Sequence, residues 1–258
     1  VSFVQVSATA RGYLRPLGQI ACNYASIMCA QREASAADRR LNDAISDELL
    51  GRLEKSGELA RVHHTVQVTS FGGAGTTALL RHLAEAGVDV PATPGSFPFK
   101  HQRRPPRGDD VPPGYRVVYL FADPRNAVAS VFRRGFQGGH FRSMRLCRPS
   151  PHVEDCLTSL ERYLECAVDE FRLADHFEGW HERPVREYPV LFVRYERLPA
   201  AWPVLREFVG LPPGADALDI RPRASEWQLL PPPLPERLDE TYGPLARRLA
   251  ELPATELR

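Results

Sequence analysis

The sequence predicts an α/β protein with a central, mainly parallel sheet flanked by helices. Three observations carry that expectation. Three short β-branched or apolar runs lie at residues 66–70, 115–121 and 189–193. Each gives way to a turn and then to helix-forming sequence, the alternation that a parallel sheet with crossover helices requires. The chain has 258 residues, 43% hydrophobic and 25% charged, which suffices for one sizeable core.

Taken in order, residues 1–60 read as an N-terminal helical extension packed on the core, and residues 61–258 as the α/β domain. Within the extension, Tyr13 to Ala30 carries scattered apolar residues. Leu41, Ile45, Leu49 and Leu53 recur on one face of a helix over 36–56, with Ser35 as its N-cap and Gly57 at its end. His63 and His64 read as solvated at the entrance to the first strand. A helix is expected over 76–86, stopped by Gly87. Residues 102–114 read as an exposed loop whose Arg103, Arg104 and Arg107 form either a solvated rim or an acceptor-recognition edge.

Tyr115 to Phe121 is the clearest strand. Asp123 is placed to cap the helix that follows, and Pro124 suits its first turn. That helix runs from Ala127 to Arg134, and Gly135, Gly138 and Gly139 predict a loop. Residues 152–177 predict one long amphipathic helix. After the third strand come a helix over Ala200 to Val209, an irregular proline-rich segment over 211–236, and a helix from Leu238 to Leu252.

Formal net charge is +1, so no global field draws the chain to nucleic acid or to an anionic membrane. No apolar run is long enough to span a bilayer. Five cysteines, an odd number without a C-x-x-C pair, predict buried reduced thiols rather than a disulfide framework or a zinc site. That reading favours the cytoplasm. A Golgi-type lumenal location is the alternative if an anchor precedes Val1. Only Lys55 and Lys100 are lysines, which singles out Lys100 beside His101.

The chemistry-bearing stretch is Val66 to Leu80. A strand breaks at Gly72, Gly73, Ala74 and Gly75, and a helix begins at Thr76 and Thr77. Strand, glycine turn and helix N-terminus present backbone N–H groups to an anion. The lysine of the nucleotide-binding loop G-x-x-x-x-G-K-[ST] is missing, which argues against an ordinary ATPase or GTPase. A glycine-rich turn that binds nothing remains the alternative.

Ser70-Phe71-Gly72-Gly73-Ala74-Gly75-Thr76-Thr77 resembles the phosphosulfate loop, near S-x-P-K-S-G-T-T, of sulfotransferases that use 3′-phosphoadenosine 5′-phosphosulfate. The stretch from Tyr119 to Ser130 is similar to their 3′-phosphate motif, near Y-x-x-R-D-P-R-D-x-x-x-S. Val193-Arg194-Tyr195-Glu196-Arg197-Leu198 resembles their later R-Y-E-D-L segment, and Phe208 to Pro212 their F-L-G-L stretch. The resemblance runs in order over about residues 65–250. It implies a P-loop sulfotransferase-like fold and transfer of a sulfuryl group to a hydroxyl or amine on a small-molecule or glycan acceptor, without a metal.

By the same resemblance, Gly72, Gly73, Ala74, Gly75, Thr76, Thr77, Arg125 and Ser130 hold the donor. His101 is the general base and Lys100 its electrostatic partner, carried over from a K-T-H segment that here lacks the intervening residue. Gly73 stands where the family has its loop lysine, and Ala122 where it has the arginine that opens the 3′-phosphate motif. The later basic-glycine loop has no counterpart beyond Arg221, Arg223 and Trp227. Losing one charged donor from such a site costs on the order of 10²–10³ in rate. The alternatives are a non-catalytic nucleotide-binding descendant of the fold and a small-molecule kinase.

Overall fold

The computed structural model describes residues 62, 64–91, 99–102, 105–145, 147, 149–182, 187–219 and 226–258. The helical extension expected over 1–60 lies outside the described residues, as do His63, Arg103, Arg104, Arg221, Arg223 and Ser225.

The described chain is an α/β fold built on a four-stranded sheet in the order β1–β2–β3–β4. Strands β1 (Val66–Ser70), β2 (Arg116–Phe121) and β3 (Val190–Arg194) are parallel, with Val68 opposite Val118 and Tyr119 opposite Phe192. The sequence reading missed β4 (Thr255–Leu257), a short strand that pairs antiparallel with β3. Its residues have no apolar run to announce them.

Alternation along the strands divides the core in two, as a period of two requires. Val117, Tyr119, Phe121, Val190 and Phe192 face one side and Val118, Leu120, Leu191 and Val193 the other. Helices α1 (Thr76–Glu85) and α7 (Leu198–Phe208) cover the second side through Leu79, Leu83, Trp202 and Leu205. The first side is covered by α2 (Pro124–Arg133), α3 (Gln137–Arg145), α5 (Leu160–Glu165), α6 (Leu173–His181) and α8 (Leu234–Glu251). Among the described residues, no helix is long and apolar enough to cross a membrane.

Four expectations need correction. The single helix over 152–177 is three pieces: α4 (Pro151–Cys156), α5 and α6. Ser159 caps α5 by accepting from Arg162 N–H, while Ala167 and Arg172 take positive φ, at 51° and 56°, and end the helical path. Gly138 and Gly139 sit in the first turn of α3 rather than in a loop. His64 is buried, not solvated, and its ring lies 6.4 Å from that of Tyr115. The thiols are not all reduced: Cys156 at the end of α4 bonds Cys166 just after α5, with 6.4 Å between their Cα atoms. The short turn that folds α5 back on α4 brings the two together, and no sequence spacing signals it.

A buried polar chain fastens α8 to this region. Phe171 N–H donates to the Tyr163 hydroxyl, Tyr163 to Tyr242 at 2.6 Å, and Tyr242 to Asp169 Oδ1 at 3.0 Å. Asp169 Oδ2 also accepts from Leu173 N–H at 2.7 Å, which orients the start of α6. Burial raises the Asp169 pKa, and these donors work against that shift. Tyr242→Phe removes one donor and one acceptor from the chain. The expected cost is about 1–3 kcal/mol, measurable as a lower urea midpoint with an unchanged m-value.

Candidate functional site

The loops that follow β1, β2 and β3 meet beyond the carboxyl ends of the parallel strands, where open α/β sheets bind ligands. Three contacts hold them together. Gly73 lies against the backbone of Ala127 in α2, Gly75 against the ring of Tyr195, and Asp123 N–H donates to Glu196 Oε1 at 3.2 Å. A Cβ at Gly73 would stand 2.6 Å from Ala127 Cα, and φ there is 65°. Glycine is therefore required by space and by backbone conformation together. A lysine cannot occupy this position without moving α2.

Through its bond from Asp123 N–H, Glu196 ties its own turn to the one that follows β2. Tyr195 is only half-buried and packs on the glycine loop. Arg194 completes the junction, donating to the Leu249 and Ala250 carbonyls at the C-terminus of α8.

Gly75 begins α1 in the left-handed conformation, and no side chain caps that helix. Thr76 is buried, with its hydroxyl 2.6 Å from Ser70 Oγ, which in turn accepts from Gly72 N–H at 3.0 Å. The Thr76 hydroxyl thus serves the loop's internal bracing. Thr77 is half-exposed at the helix start. Ala74 and Ala122 are fully buried in the second core, so Ala122 offers no room for the arginine of the family pattern.

Segment 99–102 reaches the same end of the sheet along the outer edge of β1. Thr69 Oγ1 donates to the Lys100 carbonyl at 3.3 Å, and Gln67 Nε2 donates to Gln102 Oε1 at 3.0 Å. His101 Nδ1 lies 2.9 Å from the Ser70 carbonyl. A carbonyl only accepts, so Nδ1 carries the proton and Nε2 is the unprotonated nitrogen of the neutral ring.

The sequence reading missed His140. This buried residue on α3 sits over Gly72, where a Cβ would overlap its imidazole, and it bonds the Phe71 backbone. Its ring stands edge-on to His101, with 5.2 Å between centroids. His176 is a third member, bonded through Nδ1 to the Tyr119 hydroxyl at 2.8 Å. No sequence signal marked this cluster, to which Arg134 contributes its charge.

Burial, then Lys100 and His140, hold His101 well below the usual histidine range. Burial, then Arg134, Lys100 and His176, take His140 to about 3. The charged neighbours that set both rings are cationic. The site therefore gathers imidazoles and a lysine against a glycine loop, a set suited to an anion and not to an oxygen-liganded cation.

Arg125 and Ser130 are placed differently. The Arg125 guanidinium is clamped by Asp123, at 3.0 and 2.7 Å, and by Asp239 at 2.5 Å, and it lies 4.2 Å from the Trp227 ring centroid. Its charge is already matched within the protein. Ser130, half-buried on α2, accepts at its carbonyl from Arg134 Nε at 3.0 Å. An open cleft bounded by Arg116, Tyr115 and Pro189 lies at the amino ends of the strands, away from this chemistry.

No protein-family model, curated protein or solved structure matches the chain.

Two outcomes follow from this geometry. Gly73→Lys does not restore a family-type loop; it lowers stability by at least about 1 kcal/mol, read as a drop in Tm. The second concerns pH. Unfolded, His101 and His140 titrate near about 6.5 and bind protons that the folded state refuses, so stability falls as pH drops below that value. For His140 the loss continues down to about 3. The urea midpoint is expected to be lower at about pH 5 than at about pH 7.5, and His140→Asn to narrow that difference.

Proposed function

We propose that this protein transfers a sulfuryl group from 3′-phosphoadenosine 5′-phosphosulfate to an acceptor hydroxyl or amine, on a P-loop sulfotransferase-like fold. The observation that carries the reading is His101. It is neutral, tied by Nδ1–H to the carbonyl that ends β1, and set beside Lys100 and the glycine loop.

In this reading the loop from Gly72 to Thr77, with the N-terminus of α1, cradles the 5′-phosphosulfate. Nε2 of His101 takes the acceptor proton as the acceptor oxygen forms its bond to sulfur. The bond from sulfur to the bridging oxygen breaks, and 3′-phosphoadenosine 5′-phosphate leaves. Lys100, whose charge reaches both histidines, offsets the negative charge on the sulfuryl oxygens. A histidine held below its usual range stays in the basic form through mildly acidic pH.

The 3′-phosphate end of the donor fits less well. Arg125 would have to leave Asp123 and Asp239 to meet it, and Ala122 brings no charge. These observations favour a second reading, a descendant of the fold that binds an anionic nucleotide without turning it over.

Calorimetry with 3′-phosphoadenosine 5′-phosphate, 5′-AMP and ATP is the first test. Selective binding of the 3′-phosphorylated nucleotide is expected, with transfer from radiolabelled donor to a panel of phenols and glycans. His101→Gln is expected to lower turnover by about 10²–10⁴-fold with nucleotide affinity unchanged. Selective binding without transfer selects the second reading. Preference for ATP with Mg²⁺-dependent hydrolysis would point to a kinase, and binding of none overturns both.

A further inference from the structure

A second cluster of chemistry-bearing side chains lies away from the glycine loop. His152 and Cys156 are one turn apart on α4, and Cys166 faces them from the end of α5. His152 Nε2 is 3.9 Å from Cys156 Sγ, and the ligand atoms of all three residues lie within 4.8 Å of one another. We propose that in its reduced form this trio is a binding site for a thiophilic divalent cation such as Zn²⁺, and that the Cys156–Cys166 disulfide is the oxidised, metal-free form of the same site. The proposal is independent of the sulfuryl-transfer reading.

The distances carry it. Tetrahedral zinc with bonds of about 2.3 Å to sulfur and about 2.0 Å to nitrogen separates two sulfurs by about 3.8 Å and a sulfur from a nitrogen by about 3.6 Å. His152 and Cys156 already stand near the second value. Reduction parts Cys156 from Cys166, which is half-buried just past the end of α5. Cys156 is fully buried and anchors the site, while the exposed His152 leaves a side open for water as a fourth ligand. Asp155 is engaged by Arg162 at 2.6 and 2.8 Å and is not needed as a ligand.

The redox step balances with an external dithiol. Its thiolate attacks Cys166 Sγ, the bond to Cys156 breaks, and Cys156 leaves with the electron pair and takes a proton. The second reductant thiol then displaces Cys166 as a thiol, so the protein gains two electrons and two protons in all. Metal binding releases both thiol protons.

The test uses the full chain, reduced with dithiothreitol, freed of reductant under argon and titrated with Co²⁺. One equivalent is expected to give the visible bands of tetrahedral cobalt and a sulfur-to-metal charge-transfer band, both lost on adding Zn²⁺. The disulfide form is expected to show neither. His152→Ala keeps the disulfide and is expected to bind cobalt more than about tenfold more weakly once reduced, and Cys166→Ser to lose much of the charge-transfer intensity. If reduction unfolds the chain, one equivalent of Zn²⁺ is expected to restore its circular dichroism. Absence of the tetrahedral spectrum in a folded reduced chain overturns the proposal. So does failure of zinc to refold an unfolded one, or equal binding by either variant and the wild type.

Discussion

The outer edge of β1 sets the constraint on which the rest of this structure depends. A fully buried edge strand must find partners for its polar groups, and each one left unsatisfied costs about 1–3 kcal/mol. Residues 100–102 supply partners along it: the Lys100 carbonyl accepts from the Thr69 hydroxyl, His101 Nδ1–H donates to the Ser70 carbonyl, and the Gln102 side chain accepts from Gln67 Nε2. Tyr115 donates to Gln67, and Trp180 Nε1 to the Gln102 carbonyl at 2.6 Å, so the edge is also tied to the first core. The same bonds carry Lys100 and His101 to the carboxyl end of the sheet. Placement of the candidate base is thus a by-product of satisfying a strand.

Electrostatics at that end are arranged with economy. Several groups that could carry positive charge crowd one glycine loop, and burial keeps the imidazoles neutral so that they do not repel one another. Arg125 is paired with Asp123 and Asp239 and covered by Trp227. These pairs join the second strand–helix turn to α8. An arginine at a motif position can therefore act as a structural clamp, and only its partners reveal which role it has.

Much of the fold was legible because its signals are local. Apolar runs mark β1 to β3, and Asp123-Pro124 marks the start of α2, where the Asp123 side chain does accept from Arg125 N–H. The glycine loop was legible because positive φ at Gly72, Gly73 and Gly75 demands that residue type. The breaks between α4, α5 and α6 were not, since the apolar stripe continues across them while the backbone turns at Ala167 and Arg172. His140 was hidden for another reason. Its role depends on a contact with Gly72 that only the packing of α3 on the first core creates, and its neighbours Gly138 and Gly139 suggest a loop. The Cys156–Cys166 bond was hidden likewise, being set by the angle between two short helices.

The antiparallel strand at the end of the chain has a practical bearing. Val190 and Arg258 exchange both backbone hydrogen bonds, at 2.8 and 2.9 Å, and Arg194 N–H donates to the Ala254 carbonyl at 2.9 Å. Residues 254–258 thus shield one margin of a strand whose other margin bears the load of β2. A truncated version stopping before Ala254 would bare a row of unmet amides and carbonyls beside Leu191 and Val193, an adhesive template for other chains. Trimming there is therefore a route to aggregation that leaves every residue near the glycine loop intact.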